Sequence, residues 1–271
     1  MKSFFRLIVI QPLMFIVKLG GSVITDKSSD AGVFKQDIMD GLAESMQKSN
    51  QEIIIVHGAG SYGHVLAKKY HLNNGFTDKN QIMGFSLTLT KVQELNTLVL
   101  KSLQKKGIAA VSISPHTTIT MKNHLTDSFQ SELFFKYLKK GFTPVTFGDV
   151  VLDADIGFSI CSGDLLIELL VKLFHPEKVI FAIDEDGLYT SNPKKNPDAK
   201  FINEISNDEL SDLTTKIDDH ADVTKGMEGK LQVIKTIAHD NIDSILLNGN
   251  KPDCLYDVLV GNKTKHTLIK R

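Results

Sequence analysis

The stretch IIIVHGAGSYGHVLAKK, residues 53–69, predicts a strand, a glycine-rich turn and a helix in direct succession. Its first four residues form an apolar run typical of a strand that is buried on both faces. Small residues follow, and a helix is predicted through Val65, Leu66 and Lys69. A strand that passes through glycines into a helix is typical of α/β proteins, and it presents backbone N–H groups at the positive end of the helix dipole.

The alternation of strand and helix continues upstream of this stretch. Residues 14–19 form another apolar run, which only Lys18 interrupts. Between the two runs, apolar residues recur at steps of four on one face of a helix of about four turns: Phe34, Ile38, Leu42 and Met46. Two strands joined by such a helix form a βαβ unit, the building block of a parallel sheet.

Further elements downstream enlarge the predicted sheet. Apolar runs predict strands at residues 109–113, 142–147 and 179–183, and helices around Leu95, Val99 and Leu103 and around Leu133, Phe134 and Leu138. Strands that alternate with helices along the chain favour a parallel sheet covered on both faces. We therefore predict an α/β fold, a three-layer αβα sandwich with a mainly parallel central sheet.

Three segments depart from this pattern. Residues 117–125 and 150–160 predict a small antiparallel flap, the second segment with a hairpin turn around residues 153–155. Residues 191–198, SNPKKNPD, contain two prolines and are predicted to form an exposed loop. The chain is expected to form one compact unit of two halves, residues 14–183 and 184–271.

The composition excludes several classes of function. The 271 residues include 31 lysines and arginines against 32 aspartates and glutamates, so no overall field attracts nucleic acid or an anionic membrane. The two cysteines, Cys161 and Cys254, lie far apart and indicate neither a disulfide framework nor a zinc site, which suits a cytoplasmic protein. We predict that the protein has neither a nucleic-acid partner nor a membrane partner.

The amino terminus is apolar but fits neither an anchor nor a signal peptide. Arg6, Gln11 and Pro12 interrupt it, it is shorter than the roughly 20 residues that a membrane span needs, and it lacks a small-residue cleavage site. Met14 begins the first predicted strand. Residues 1–13 are therefore interpreted as an extension or as the product of a mis-called start.

Two strand ends carry glycine turns that are suited to phosphate. Lys18 is followed by Gly20, Gly21 and Ser22, a turn that brings N–H groups and an ammonium group together without forming a Walker loop. The turn at residues 58–60 opens a helix and places His64 within its first turn. Each feature also has an ordinary explanation, since a lone Lys-Leu-Gly-Gly turn is usually just a strand end and a lone histidine is usually a surface or capping residue. His57 is interpreted as a structural residue at the end of its strand.

Two further groups of residues also lie at a helix start or a strand end. Ser162 is a predicted N-cap, and Asp164 beyond it could orient lysines or simply favour the positive end of its helix. Residues 184–189, DEDGLY, lie where ligands bind in open α/β sheets, beyond the carboxyl end of a strand. These residues could equally form an ordinary acidic turn. Lys230, further along the chain, could equally lie on a solvated helix face.

Together and in this order, the motifs resemble those of the amino acid kinase superfamily and, within it, the isopentenyl phosphate kinases. The stretches that carry the resemblance are KLGGSVITDK (residues 18–27), HGAGSYGH (57–64), AKKYHLNNGF (67–76), FGDVVLD (147–153), SGD (162–164), DEDGLY (184–189) and DVTKGMEGK (222–230). They span nearly everything after residue 13. Two features depart from the family pattern: the pair Lys225-Gly226 stands where the family usually shows two glycines, and Leu165 stands where it shows a second acidic residue.

The resemblance implies a role for each residue. Lys18 and Lys27 would contact the transferring phosphoryl group, Lys230 would reach the ATP phosphates, and Asp164 would hold lysines in position. The half at residues 14–183 would bind the acceptor through Gly58, Ala59, Gly60, His64, Phe76 and Gly163, with Phe76 beside the isopentenyl tail. The nucleotide would lie against Lys18, Gly20, Gly21, Ser22, Asp184, Gly187, Lys225, Gly226, Met227 and Lys230, mainly in the half at residues 184–271.

The resemblance also implies an activity, namely the direct in-line transfer of phosphate from ATP to isopentenyl monophosphate. ATP and Mg²⁺ are the expected cofactors, no protein-held metal is expected, and a homodimer is expected. A fosfomycin kinase or an amino acid kinase acting on a carboxylate is the alternative enzyme, although His64 disfavours a carboxylate acceptor. A regulatory subunit without turnover is the non-enzymatic alternative, and the presence of Lys18, Lys27, Asp164 and Lys230 together argues against it.

Overall fold

A computed structural model describes residues 14–26, 32–193, 195–210 and 225–271, with the backbone alone at 225–228. The amino-terminal extension and Lys27 lie outside the described residues. Within the described ranges, no helix is both long enough and apolar enough to cross a bilayer.

The strands and helices follow the predicted alternation. The strands are β1 (Met14–Leu19), β2 (Thr25–Asp26), β3 (Val33–Phe34), β4 (Glu52–His57), β5 (Ala110–Ser112), β6 (Ile119–Lys122), β7 (Leu125–Phe129), β8 (Thr143–Phe147), β9 (Asp149–Asp153), β10 (Gly157–Cys161), β11 (Lys178–Ile183), β12 (Leu188–Tyr189), β13 (Phe201–Ile202), β14 (Glu204–Ser206), β15 (Asp243–Asn248) and β16 (His266–Lys270). The helices are α1 (Gly21–Ile24), α2 (Gln36–Ser49), α3 (Gly60–Lys69), α4 (Asn80–Lys105), α5 (Pro115–Thr118), α6 (Glu132–Leu138), α7 (Gly163–Phe174), α8 (Lys225–His239) and α9 (Pro252–Val260), with a 3₁₀ turn at Leu72–Asn74.

A central sheet of eight strands runs through both predicted halves in the order β14-β16-β15-β11-β1-β4-β8-β5. The pairs from β15 through β5 are parallel, and only the β15–β16 pair is antiparallel. The prediction of a mainly parallel sheet is therefore confirmed. The buried, β-branched runs of β1, β4 and β11 explain why these strands occupy its centre.

Two hydrophobic cores lie on opposite faces of this sheet. Alternation along β1 sends Ile16 into one core and Phe15, Val17 and Leu19 into the other. The first core is completed by residues of α6, α7 and α8, and the second by residues of α2, α4 and α9. Helices thus cover both faces, which confirms the three-layer αβα sandwich.

Two local predictions need correction. Phe34 lies in β3, which pairs with β2, so helix α2 begins only at Gln36 and its apolar face starts with Ile38. The flap is not wholly antiparallel: two hairpins, β6–β7 and β9–β10, are joined through a parallel contact between Met121 and Asp153. The carboxylate of Asp153 supplies the reason, because it accepts hydrogen bonds from the backbone of one hairpin turn as well as from its own.

Candidate active site at the carboxyl ends of the central strands

Three parallel strand ends meet where the site is built. Each glycine that follows a strand donates its N–H to the end of a neighbouring strand. Gly20 donates to Ala182 at 2.9 Å, Gly58 to Leu19 at 3.0 Å, and Gly148 to His57 at 3.0 Å. The loops after β1, β4 and β8 are therefore aligned in one row, the position at which open α/β sheets bind ligands.

The first two glycine turns touch each other directly. A methyl group on Gly21 would lie 2.6 Å from the nitrogen of Gly60, and one on Gly58 would lie 2.8 Å from the nitrogen of Gly21. Gly60 also has a positive φ of 52°, and the hydroxyl of Thr25 occupies the space that a side chain would need. Because any side chain would force these two backbones apart, the glycines of both motifs are needed for the close approach.

A cavity of about 500 Å³ opens over these turns. That volume suits a small-molecule site. Most of the residues predicted from the sequence line it: Lys18, Gly20, Gly21, Ser22, Gly58, Ala59, Gly60, His64, Gly163, Asp164, Asp184 and Lys230. Residues from both halves of the chain therefore share one cavity.

The cationic side of the cavity centres on Lys18. Its ammonium group pairs with the carboxylate of Asp164, which lies in the first turn of α7, and only 8% of the Lys18 side chain is exposed. Burial and the neighbouring charge of Lys230 lower the pKa of Lys18 to about 8, against the opposing effect of Asp164. Asp164 is thus paired with one of the lysines, and its role in holding lysines in position for the reaction stays a prediction. Ser162 is the predicted N-cap of this helix, and its hydroxyl accepts from Leu165 N at 3.1 Å.

Beside the lysines, two backbone amides converge in front of Gly148. A methyl group placed on Gly148 would lie 3.5 Å from the nitrogens of both Ala59 and Gly163, and nothing else would be nearer. Ala59 is the N-cap of α3, and Gly163 is the first residue of α7. The starts of two helices thus lie beside one point that has no side chain, and helix N-termini favour a phosphate oxygen.

His64 stands at the exposed margin of the same cavity. Since α3 begins at Gly60, His64 is its fifth residue and lies just beyond the first turn, one position later than predicted. It remains on the same helix as the amide of Ala59. A side chain there can add a donor for an anion that the amides already attract.

The far side of the cavity is apolar. Val92 and Val150 are buried at the wall, and Val65, Ala67 and Ile160 line it as well. Val150 and Ile160 come from the β9–β10 hairpin, so the flap forms part of this wall. These residues are absent from the site predicted from the sequence, although Ala67 and Val150 lie in two of the stretches that carry the family resemblance.

Two predicted residues do not line the cavity. Phe76 is 47% exposed and packs edge-on against Phe158, with ring centroids 5.9 Å apart. Gly187 is buried against Thr267 and Phe201 instead of facing the cavity. The predicted roles of both residues stay predictions that this geometry does not support. Lys27 lies outside the described part of the structure, and only the backbone is described at Lys225, Gly226 and Met227.

The cavity does not hold a ready-made cluster of metal ligands. Asp149 lies in its wall, but its carboxylate accepts from Val150 N and from His116, whose Nδ1 is 2.7 Å away. Asp164 is paired with Lys18. Across the described ranges, no group of three or more histidine, cysteine, aspartate or glutamate side chains is placed to hold a metal ion.

Similarity to known proteins agrees with this architecture. Residues 14–248 match the model of the amino acid kinase family, and the chain belongs to that family. It is 37% identical to the isopentenyl phosphate kinase of Methanothermobacter thermautotrophicus, over 94% of this chain and 98% of the relative. It is 31% identical to that of Methanocaldococcus jannaschii, over 92% and 96% of the two chains. A solved isopentenyl phosphate kinase structure superposes with a TM-score of 0.83 at 34% identity, covering 94% of this chain and all of that one.

Proposed function

We propose that this protein is an isopentenyl phosphate kinase, which transfers the terminal phosphoryl group of ATP to isopentenyl phosphate and releases isopentenyl diphosphate and ADP. The observation that carries the proposal is one cavity in which buried lysine charge, two convergent amides and an apolar wall adjoin one another. A substrate that is a phosphate at one end and a hydrocarbon at the other matches this combination. The family relationship supports ATP as the phosphoryl donor.

The acceptor phosphate would lie in front of Gly148. There the amides of Ala59 and Gly163 donate to it, and His64 adds a further donor at the cavity margin. An acceptor that is already an anion needs no strong base, so the work of the protein is alignment and neutralisation of charge. In this proposal, Lys18 and Lys230 stabilise the phosphoryl group as it moves between the two substrates.

The isopentenyl tail would pack against the apolar wall. Val65, Val92, Val150 and Ile160 offer no hydrogen-bonding groups in their side chains, and apolar contact is the means by which a protein selects a hydrocarbon. The flap residues Val150 and Ile160 are the part of this wall contributed by a hairpin outside the central sheet.

The nucleotide would occupy the side of the cavity bounded by Asp184 and Lys230, in the half at residues 184–271. Mg²⁺ would accompany ATP, since it commonly binds substrate phosphates together with water and few protein carboxylates. Asp184 lines the cavity and would be the carboxylate that meets it.

A homodimer is part of the proposal. Helix α4 exposes Ile82, Met83 and Leu87, which are 60%, 60% and 40% exposed. Large apolar side chains grouped on one helix are typical of a protein interface. Light scattering after size-exclusion chromatography tests the proposal: Met83→Glu combined with Leu87→Glu should convert a dimer into a monomer, and a wild-type monomer would contradict it.

The proposed activity is tested by the purified enzyme with ATP, Mg²⁺ and one acceptor at a time. ADP release should depend on isopentenyl phosphate, and phosphorus NMR should show the two coupled signals of isopentenyl diphosphate in addition to those of ADP. Fosfomycin and glutamate serve as alternative acceptors, and Lys18→Met serves as the inactive control. Turnover with either alternative but not with isopentenyl phosphate would overturn the proposal.

A further inference from the structure

His57 is buried at the last position of β4, immediately before the turn that carries Ala59. No part of it is exposed, and its ring stacks on Phe147 with centroids 5.2 Å apart. Its Nδ1 lies 3.0 Å from the carbonyl oxygen of Gly58, the next residue. A carbonyl oxygen only accepts, so Nδ1 must carry a proton and donate.

The other ring nitrogen belongs to a buried polar chain. Nε2 lies 3.2 Å from Oδ1 of Asn96 on α4, and Nδ2 of Asn96 lies 2.8 Å from the hydroxyl of Ser112. Burial lowers the pKa of His57 and favours the neutral ring, in which Nε2 accepts. A half-turn of the Asn96 amide then presents its NH₂ group to Nε2 and its oxygen to Ser112.

The direction of the Gly58 carbonyl determines where the next amide points. The Gly58–Ala59 peptide is trans and planar, so its carbonyl oxygen and its N–H point in opposite directions. His57 holds the oxygen towards the core. The N–H of Ala59 therefore points away from the core. We infer that it points towards the space in front of Gly148, which the nitrogens of Ala59 and Gly163 both border.

We propose that His57 is a positioning residue, which orients the amide of Ala59 towards the acceptor phosphate by holding the carbonyl of Gly58 in the core. The role rests on the proposed function, because the acceptor phosphate is the anion that this amide would bind. His57 does not line the cavity and touches neither substrate.

A matched pair of variants separates orientation from packing. Asn and Leu have nearly the same shape, and both lose the stacking on Phe147, but only Asn keeps a donor at the position of Nδ1. His57→Leu should raise KM for isopentenyl phosphate about tenfold, equivalent to about 1.4 kcal/mol, with KM for ATP changed less than twofold. His57→Asn should recover most of that loss. If KM for isopentenyl phosphate were the same in the two variants, or if KM for ATP rose by the same factor, His57 would be a packing residue only.

Two NMR measurements on the wild type decide the inference even if the variants fold poorly, and the second is extended to the variants where they fold. In the wild type, long-range proton–nitrogen spectra should show the neutral His57 ring protonated at Nδ1, and a ring protonated only at Nε2 would refute the mechanism. Titration with inorganic phosphate should shift the Ala59 amide signal. The phosphate concentration at half of the full shift should be about tenfold higher in His57→Leu than in His57→Asn. An Ala59 signal that phosphate leaves unmoved would also refute it. These results do not depend on turnover, whereas inactivity of the wild type with isopentenyl phosphate would refute the proposed function alone.

Discussion

Gly148→Ala tests the acceptor site with one added methyl group. The methyl carbon would lie 3.5 Å from the nitrogens of Ala59 and Gly163 and 3.8 Å from the Ala59 Cβ, all ordinary contact distances. The φ of Gly148 is not in the left-handed region, so alanine fits the backbone. The protein should therefore fold normally, and it could gain a few tenths of a kcal/mol because alanine restricts the unfolded chain.

Substrate binding should suffer far more than folding. A phosphate oxygen that accepts from both amides lies about 2.9 Å from each nitrogen, and the methyl group would occupy nearly that point. Each hydrogen bond to a charged group contributes about 1.5–3 kcal/mol. Losing both corresponds to about 3–6 kcal/mol, and even partial relaxation should cost about 100-fold in kcat/KM for isopentenyl phosphate.

Steady-state kinetics with each substrate varied in turn provides the assay. KM for ATP should change less than threefold, because the methyl group lies on the acceptor side, and the melting temperature should be unchanged or slightly higher. If the folded variant keeps kcat/KM for isopentenyl phosphate within twofold of the wild type, the two amides do not hold an anion in front of Gly148, and the acceptor site must lie elsewhere.

Four further predictions concern the charge of Lys18, the donor of His64 and the apolar wall. Because burial and Lys230 lower the pKa of Lys18 to about 8, kcat/KM should fall as the pH rises through that value in the free enzyme; Lys18→Arg should lose this alkaline limb along with most of its rate, and a limb unchanged in Lys18→Arg would assign it to another group. Between pH 8 and 10.5 Lys18 is protonated in the unfolded chain but largely neutral in the folded protein. The cost of burying its charge should therefore diminish, and the free energy of unfolding should rise, across that pH range. His64→Ala should lower kcat/KM for isopentenyl phosphate about 100-fold while His64→Gln recovers part of it, with ATP binding as the control; full activity of His64→Ala would remove the histidine from acceptor binding. Ile160→Ala should weaken isopentenyl phosphate by about 1–3 kcal/mol and admit longer prenyl phosphates, whereas Phe76→Ala, outside the cavity, should leave the chain-length profile unchanged; the opposite result would place the tail against Phe76.

The layers of the fold could be predicted because they depend on local pattern. The apolar runs at β1, β4 and β11 and the four-residue spacing of Ile38, Leu42 and Met46 follow directly from burying one face or both faces of an element. Phe34 is an exception, because its position continues the apolar pattern of α2 although the residue lies in β3. Its pairing with Thr25 is a contact that spacing along the chain does not register.

The resemblance to the amino acid kinase superfamily brings the glycine turns, Lys18, Asp164 and Lys230 together as a set. In a parallel sheet the strand ends near which the glycine turns lie share one edge. Membership of a matching stretch does not determine whether a residue faces that edge. Phe76 belongs to a matching stretch of sequence, yet the 72–76 segment packs on the flap and leaves the ring outside the cavity.

The roles of Gly148 and His57 could be assigned only from the folded molecule. Gly148 carries no side chain, and its significance comes from two amide nitrogens that converge on it from helices more than 100 residues apart. His57 looks like an ordinary strand end until Asn96, which Ser112 binds in turn, and Phe147 contact its ring. Patterns along a chain report which face of an element is buried, because burial repeats with the period of the backbone. The direction of a single peptide unit has no such period, and it is decided by the partners that the packed layers bring to it.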